Sequence, residues 1–499
     1  MSVAPLTQTM RELAEHDPDR PALTCEGRTV TRAEFEARAN RGARAFEQMG
    51  VGQGAVVSIA LPNSIEFFEA TLAAWKLGAT PQPLSHRLPR HERDAIVELA
   101  DPALIVGVDP TDHRDRRCLP AGWAPAPTID DSPLGVDRVA PAWNIQATGG
   151  STGRPKLMVA GAPAAFDPSV MAMAFGIPID GTVLLPNPLY HSAGFAFAWN
   201  ALLYGNHIVI LPRFDAVAAL EAIQQHRVEW VFLVPTMMSR MLRAVEAEPE
   251  RFDLRSLQTV WHGASICPPW VKEAWIELVG PEKLMELFGA SESPVGIVIS
   301  GKEWLEHRGS VGKPPEGTIR ILGPAGEDLP VGAVGEIYSY VKPGAPVKAT
   351  LIGAELQKRG DWMTVGDLGW LDDEGYLHVS DRRVDMIVAG GANVYPAEVE
   401  LALAEHPHVA TAVVVGLPDD DLGQRIHAVV EASGDVTADE LLAFLAERLV
   451  RYKVPRSMRI VREPLRDDAG KVRRALVREQ EVALAQSALR DVHRDPPVT

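Results

Sequence analysis

Residues 148–156 read Thr-Gly-Gly-Ser-Thr-Gly-Arg-Pro-Lys, and their types are those of a loop that can hold phosphate oxygens. Glycine reaches positive φ and lets backbone come close to a ligand. Successive N–H groups freed in that way form a concave nest for anions. Ser151 and Thr152 add hydroxyl donors, and Lys156 supplies a point charge at the loop's exit. This is not a Walker loop, because Leu157 follows Lys156 where Ser or Thr would be needed to reach Mg²⁺. Gly, Ser and Thr are also ordinary linker residues, so the segment alone reads equally well as a flexible surface loop.

Later segments carry carboxylates and cations in a fixed order. Residues 286–292 read Glu-Leu-Phe-Gly-Ala-Ser-Glu, and 364–369 read Thr-Val-Gly-Asp-Leu-Gly. Residues 380–387 follow as Ser-Asp-Arg-Arg-Val-Asp-Met-Ile, then 390–396 as Gly-Gly-Ala-Asn-Val-Tyr-Pro, and Gly470-Lys471-Val472 lies near the end. Each has a plain structural alternative. Glu292 and Asp367 are loop carboxylates that are ordinarily solvated. Lys471 stands in a basic segment, 471–474, whose default is a solvated face. His191, on type alone, reads first as a satisfied interior histidine.

Taken together, these five motifs resemble the adenylate-forming (AMP-binding) superfamily of acyl-CoA synthetases, luciferases and peptide-synthetase adenylation domains, over nearly the whole chain. Pro188-Leu-Tyr-His191, Trp261-His-Gly-Ala264 and the run 303–312, Glu-Trp-Leu-Glu-His-Arg-Gly-Ser-Val-Gly, look most like its branch of bile-acid, steroid and terpenoid-acid CoA ligases. The resemblance implies two half-reactions: a carboxylate attacks the α-phosphate of ATP to give an acyl-adenylate and pyrophosphate, then the CoA thiol displaces AMP. Because charge gathers on the triphosphate, such catalysis is largely positioning plus cationic stabilisation.

Carried over residue by residue, the resemblance gives Thr148, Gly149, Gly150, Ser151, Thr152, Gly153 and Lys156 to the phosphates. Ser291 and Glu292 match the family's Thr-Glu pair, with Glu292 as a hard oxygen ligand for Mg²⁺. Asp367 and Arg382 match the ribose contacts. Phe288, before Gly289, stands where the family has Tyr on the adenine face, and Gly263 and Ala264 leave room on the other. Lys471 would bridge carboxylate and α-phosphate, Gly391 would line the pantetheine tunnel, and His191 joins Lys471 and Glu292 among the catalytic residues. Phe195, Trp199 and Met237 are candidate walls of an acyl pocket, although aromatic and Met side chains near strand ends are commonly plain core. The chain departs from the pattern at Val384, where the hinge has Asp or Lys, at Phe288 for Tyr, at Ser291 for Thr, and at Leu157 for Gly. None of these removes a required functional group, but they leave open whether both half-reactions run at full speed.

Composition fits a globular enzyme. The 499 residues suffice for two or more domains, with 46% hydrophobic and 23% charged residues. A net charge of −17 argues against a nucleic-acid or anionic-membrane surface. Any site for ATP or CoA must therefore be locally basic on an acidic background. Cys25, Cys118 and Cys267 are far apart with no metal spacing, which fits a reducing cytoplasm. No apolar run reaches ~18 residues, so no membrane span is expected. The first residues lack the apolar core of a signal peptide. A homodimer is left open.

Elements that would position these groups alternate β and α. Residues 55–60 read as a buried strand, and Asn63 opens a helix with Ile65, Phe68, Leu72 and Trp75 on one face, ended by Gly78. A second β-α-β unit runs from strand 208–211 through a helix capped by Asp215 to strand 230–234. Residues 323–335 form a turn region before strand 336–340. Strands 410–415 and 428–431 follow, with a helix opened by the capping box Thr437-x-x-Glu440.

The expectation is an α/β protein. Residues 1–381 would form a large N-terminal domain of parallel sheets covered by helices, with a β-turn, barrel-like region. Residues 382–384 would be the hinge, and 385–499 a small mobile α+β domain. The function expected is an ATP-dependent ligase joining a hydrophobic, polycyclic or terpenoid/steroid-type acid to CoA. Residues 188–194 lack the Asp that would hold an amino acid's α-amino group. One alternative is an enzyme of the same fold confined to thioesterifying a ready-made adenylate. Others are an acyl-CoA hydrolase, disfavoured because residues 289–293, Gly-Ala-Ser-Glu-Ser, lack the second glycine of a nucleophile elbow, and a non-catalytic acyl-binding protein.

Overall fold

Six central parallel strands form the backbone of the large domain, in the order Leu284–Phe288, Thr259–Gly263, Trp230–Leu233, Thr182–Leu185, His207–Ile210 and Pro21–Cys25. Antiparallel edge strands Ile297–Ser300 and Arg28–Thr31 close the sheet on either side. The structure, a computed structural model, describes all residues except 1–2, 114, 150–154, 345–347, 383–384, 390–391, 420–421, 468–469 and 493–499. The strands His207–Ile210 and Trp230–Leu233 do not pair with each other; both flank Thr182–Leu185. Sequence order alone does not show that an earlier strand is inserted between them.

A second, four-stranded parallel sheet carries Thr80–Pro83, Val56–Ile59, Leu104–Val106 and Cys118–Leu119. Its helix Ile65–Lys76 is capped by Ser64, whose hydroxyl accepts from Phe67 N, and not by Asn63. Beyond its end, Gly78 takes φ +69°. Asn63 is recruited elsewhere: its amide donates to the Asn187 and Leu211 carbonyls and its oxygen accepts from Leu189 N. The helix Ala216–His226 is capped by Asp215 as its sequence predicts.

The antiparallel hairpin Ile145–Gly149 and Pro155–Ala160 is flanked by Ala349–Ile352. Ile145 and Leu157 bury against Leu84, Ile96 and Ile105, fixing the hairpin to the second sheet. Strands Ile319–Leu322, Gly335–Tyr340, Gln357–Arg359, Trp362–Thr364, Asp367–Leu371 and Leu377–Arg382 make a six-stranded antiparallel sheet.

Beyond it, the hairpin Ile387–Ala389 and Ala392–Val394 leads into a small α+β unit. There Gly423–Ala432 pairs antiparallel with Val409–Asp419 and parallel with Ser457–Val461. Helices Pro396–Ala404 and Ala438–Ala446 cover a core that includes Val399, Leu403, Val414, Val430 and Leu441. Thr437 accepts from Glu440 N, which is one half of the expected capping box. Among the described residues, no helix is long and apolar enough to cross a membrane.

Candidate active site

Strand ends bring the distant motifs together. Phe288 ends Leu284–Phe288, Asp367 begins Asp367–Leu371, and both line one cleft with Gly289, Ser293, Ser339 and Met363. The backbone register makes Asp367 and Arg382 direct cross-strand partners. The turn before Asp367 is fixed from behind: Thr364 Oγ1 donates to buried Glu336 and accepts from Gly366 N.

Glu292, 15% exposed, faces Lys156 with Nζ at 3.5 Å from its Oε1. Lys348, just before the strand Ala349–Ile352 beside the hairpin, comes to the same loop and donates to the Ser293 carbonyl at 2.6 Å. Burial lowers the Lys348 pKa, and Glu292 opposes that shift. Lys348 has no motif in the sequence to reveal it. Ser291 is half-buried in this loop. The backbone places Thr148 and Gly149 in strand Ile145–Gly149, opposite Lys156 and Pro155. Gly150, Ser151, Thr152, Gly153, Val384 and Gly391 lie outside the described residues.

Gly263 has a packing reason of its own: a Cβ there would stand 2.5 Å from the Leu287 carbonyl of the neighbouring strand. Ala264 follows at φ +71°, a strained value for a residue with a side chain. Beneath these residues, Lys272 and Glu286 form a buried ion pair at 2.5 Å, with the Lys272 ammonium also 4.8 Å from the Trp304 ring centre. His262 is fully enclosed beside them and burial lowers its pKa to about 4.

His191 is the N-cap residue of helix Ser192–Leu203, on a loop that Asn63 ties down through Asn187 and Leu189. Burial, reinforced by the charge of Lys471, lowers its pKa to about 3. The ring is therefore neutral at neutral pH, with one donor and one acceptor nitrogen. Lys471 is exposed and arrives from the small domain on a turn whose Gly470 lies against Thr236 and Val234 of the large one. Further cross-domain contacts are Arg473–Glu92 at 2.7 Å, Arg240–Glu431 at 3.5 Å, and Arg243 donating to the Val409 carbonyl.

Phe195 and Trp199 are fully enclosed; they sit one helical turn apart and pack on Phe67, Phe68, Trp75 and Trp143. Met237 is 2% exposed, with its sulfur 3.7 Å from the Asn187 amide. These three form core at the base of the His191 loop. Arg474, expected on a solvated face, is 17% exposed and bonds Glu400, Asp385 and the Val414 carbonyl.

Comparison with known proteins adds an independent line. The model of the AMP-binding enzyme family matches residues 10–342, and that of the AMP-binding enzyme C-terminal domain matches 398–471. A feruloyl-CoA synthase from Amycolatopsis sp. is 33% identical, covering 94% of this chain and 97% of its own. A 2-succinylbenzoate–CoA ligase from Bacillus licheniformis is 30% identical, covering 93% and 98%. Among solved structures, the o-succinylbenzoate CoA synthetase from Bacillus subtilis in complex with its acyl-adenylate intermediate superposes with a TM-score of 0.80 at 27% identity, covering 96% of this chain and 98% of that one. The chain belongs to the AMP-binding enzyme family, in its acyl-CoA synthetase branch, and is an ATP-dependent, AMP-forming CoA ligase that uses ATP, Mg²⁺ and CoA.

Proposed function

We propose that this chain activates an aromatic carboxylic acid as its acyl-adenylate and transfers the acyl group to CoA. The observation that carries the reading is that the small domain brings Asp467 to 3.9 Å from His191 and the charge of Lys471 onto the same ring, in a chain whose Phe288, Ser293 and Asp367 line one cleft. In the first step a carboxylate oxygen attacks the α-phosphorus and pyrophosphate leaves. Lys471 would neutralise charge between the two reactants, while Lys156 and the loop that follows Gly149 hold the β- and γ-phosphates. His191 would donate a hydrogen bond to the carboxylate without adding charge. In the second step the thiol sulfur attacks the carbonyl, AMP leaves, and the thiol proton passes to solvent.

Glu292 suits Mg²⁺, which takes one or two carboxylates and completes its shell with substrate phosphates and water; the ion would supply charge neutralisation at the triphosphate. Asp367 and Arg382 would hold the ribose. Phe288 would cover one adenine face, with Gly263 and Ala264 beside the other. Residues 1–381 and 385–499 would be the two working units, with 382–384 between them and Gly391 facing the thiol's path. The unpaired cysteines suit a cytoplasmic setting.

The relatives favour ring-bearing acids. Their names specify feruloyl and 2-succinylbenzoate groups, each built on a benzene ring, and neither is a steroid or terpenoid. The polycyclic or terpenoid acid expected from motif style has no support among them. Acid-dependent pyrophosphate exchange and AMP release across a panel of acids tests the reading. Aromatic acids should outperform palmitate and cholate-like acids. A preference for cholate-like or diterpenoid acids would restore the polycyclic reading. A preference for palmitate would sink both. Transfer from synthetic acyl-adenylate without any exchange would identify a thioesterifying specialist.

A further inference from the structure

We propose that Asp467 is the residue that positions Lys471 for adenylate formation, an inference that rests on the two-step reading above. Both backbone polar groups of Lys471 are bonded to this one residue. Lys471 N donates to Asp467 Oδ1 at 2.8 Å, and Asp467 N donates to the Lys471 carbonyl at 2.9 Å. Gly470 N completes the turn, donating to the Asp467 carbonyl at 2.8 Å. Lys471 therefore keeps little freedom beyond its own side chain, and its Cα is fixed wherever Asp467 is fixed.

Asp467 is itself held within the small domain and faces the large one. Within the small domain, Arg466 donates to the Gly470 carbonyl at 2.9 Å and to Thr411 Oγ1 at 2.8 Å, tying the turn to the strand Val409–Asp419. Across the domain boundary, Asp467 Oδ2 stands 3.9 Å from His191 Nε2. That is beyond a hydrogen bond, and because the ring is neutral the carboxylate meets it as a charge facing a dipole. One carboxylate thus divides its oxygens: Oδ1 shapes the turn that presents the ammonium, and Oδ2 faces the imidazole next to which that ammonium must arrive. Gly470, at φ +74°, makes the close approach geometrically available, since a Cβ there would stand 2.8 Å from Thr236 Oγ1. Asp467 touches no reacting atom in this scheme and acts through Lys471.

The two oxygens can be separated by mutation. Asp467→Ala removes both functions. Asp467→Asn keeps an oxygen able to accept from Lys471 N and removes only the charge facing His191. Each variant is assayed with the full-length protein for acid-dependent pyrophosphate exchange, for transfer from synthetic acyl-adenylate to CoA, and for its melting temperature. Asp467→Ala should lose exchange roughly a hundredfold, the scale of a misplaced catalytic group, while keeping its transfer rate. Asp467→Asn should lose exchange by a smaller factor, several-fold to about tenfold, again with transfer intact. The split is the signature, because a turn that merely stabilises the fold would lower both reactions together. Unchanged exchange in both variants overturns the assignment, as does equal loss of exchange and transfer. If Asp467→Ala does not fold, selective loss in Asp467→Asn supports the assignment and a normal Asp467→Asn overturns it. Absence of exchange by the unmutated protein with every acid would bring down the parent reading, and this one with it. Exchange by the unmutated protein alongside normal variants removes only the role of Asp467.

Discussion

Lys156 and Lys471, the two cations proposed to serve the phosphates, are held by different means. Lys156 lies on a strand paired on both sides, next to fully buried Leu157, in the core that joins the hairpin to the second sheet. Lys471 lies on a turn, and its position against the large domain depends on a few contacts: Gly470 on Thr236, Asp467 near His191, and the Arg473–Glu92 and Arg240–Glu431 pairs. A charge held by sheet and core is in place whatever the small domain does. A charge held by a handful of polar contacts is present only when the domains meet. The first arrangement suits a group needed for binding, the second a group needed in one step and harmful to the next.

The sharpest way to break the fixed half is to strand its buried charge. Glu286→Gln leaves the Lys272 ammonium, 1% exposed, without its carboxylate, and should cost about 3–5 kcal/mol of stability. Urea unfolding checks this, and the double variant Lys272→Met/Glu286→Leu should recover most of the loss. A small effect on stability would show that the strand bearing Phe288 does not depend on this pair.

Lys471→Ala tests the conditional half. Loss of one preorganised electrostatic contact costs about 3–4 kcal/mol of barrier, or roughly a hundred- to thousandfold in rate. That loss should fall on pyrophosphate exchange and spare transfer from synthetic adenylate to CoA. Normal exchange would remove Lys471 from the chemistry.

Acid should weaken the fixed half in particular. Burial holds His191 at a pKa of about 3, and His207 and His262 at about 4. An unfolded imidazole titrates near ~6.5, so below that pH the unfolded chain takes up protons that the folded chain refuses. Their contribution to stability is complete above ~6.5 and is lost as pH falls toward these folded values. Urea midpoints should drop between pH 7.5 and pH 5; an unchanged midpoint would contradict the burial of these rings.

The smallest effect is expected at Arg473 and Glu92, an ion pair with side chains half and one-third exposed across the domain boundary. Arg473→Ala should change stability by about 0–1 kcal/mol. It should shift the ratio of exchange to transfer by no more than a few fold, and raised salt should produce the same shift in the unmutated protein. A large loss would mean that this pair governs domain approach.

What the sequence makes legible divides along the same line. The helix capped by Asp215 and the helix face of Ile65, Phe68, Leu72 and Trp75 follow from local chemistry, and the structure shows them, whereas Asp367, expected in a loop, opens a strand. Partnerships between distant segments do not. Asn63 has the type and place of a helix cap, yet it holds the loop of His191, because Ser64 caps the helix and the loop lies 124 residues away in sequence. Phe195 and Trp199 share a helix face, but spacing cannot say whether that face meets a ligand or another helix; here it meets Phe68 and Trp75. Lys348 and Asp467 reach the site without belonging to any motif that spacing singles out.

Arg466 and Arg474 stand on either side of the turn that bears Lys471, one bonded to Thr411 and the other to Glu400 and the Val414 carbonyl. A lysine on a slack loop could swing in and out on its own clock, serving one reaction while the domain was already set for the other. With a guanidinium rivet at each end, this lysine is a passenger. On the proposed two-step reading it would keep the timetable of the whole unit that carries it, so that leaving the adenylate and admitting the thiol would be one event instead of two that could fall out of order.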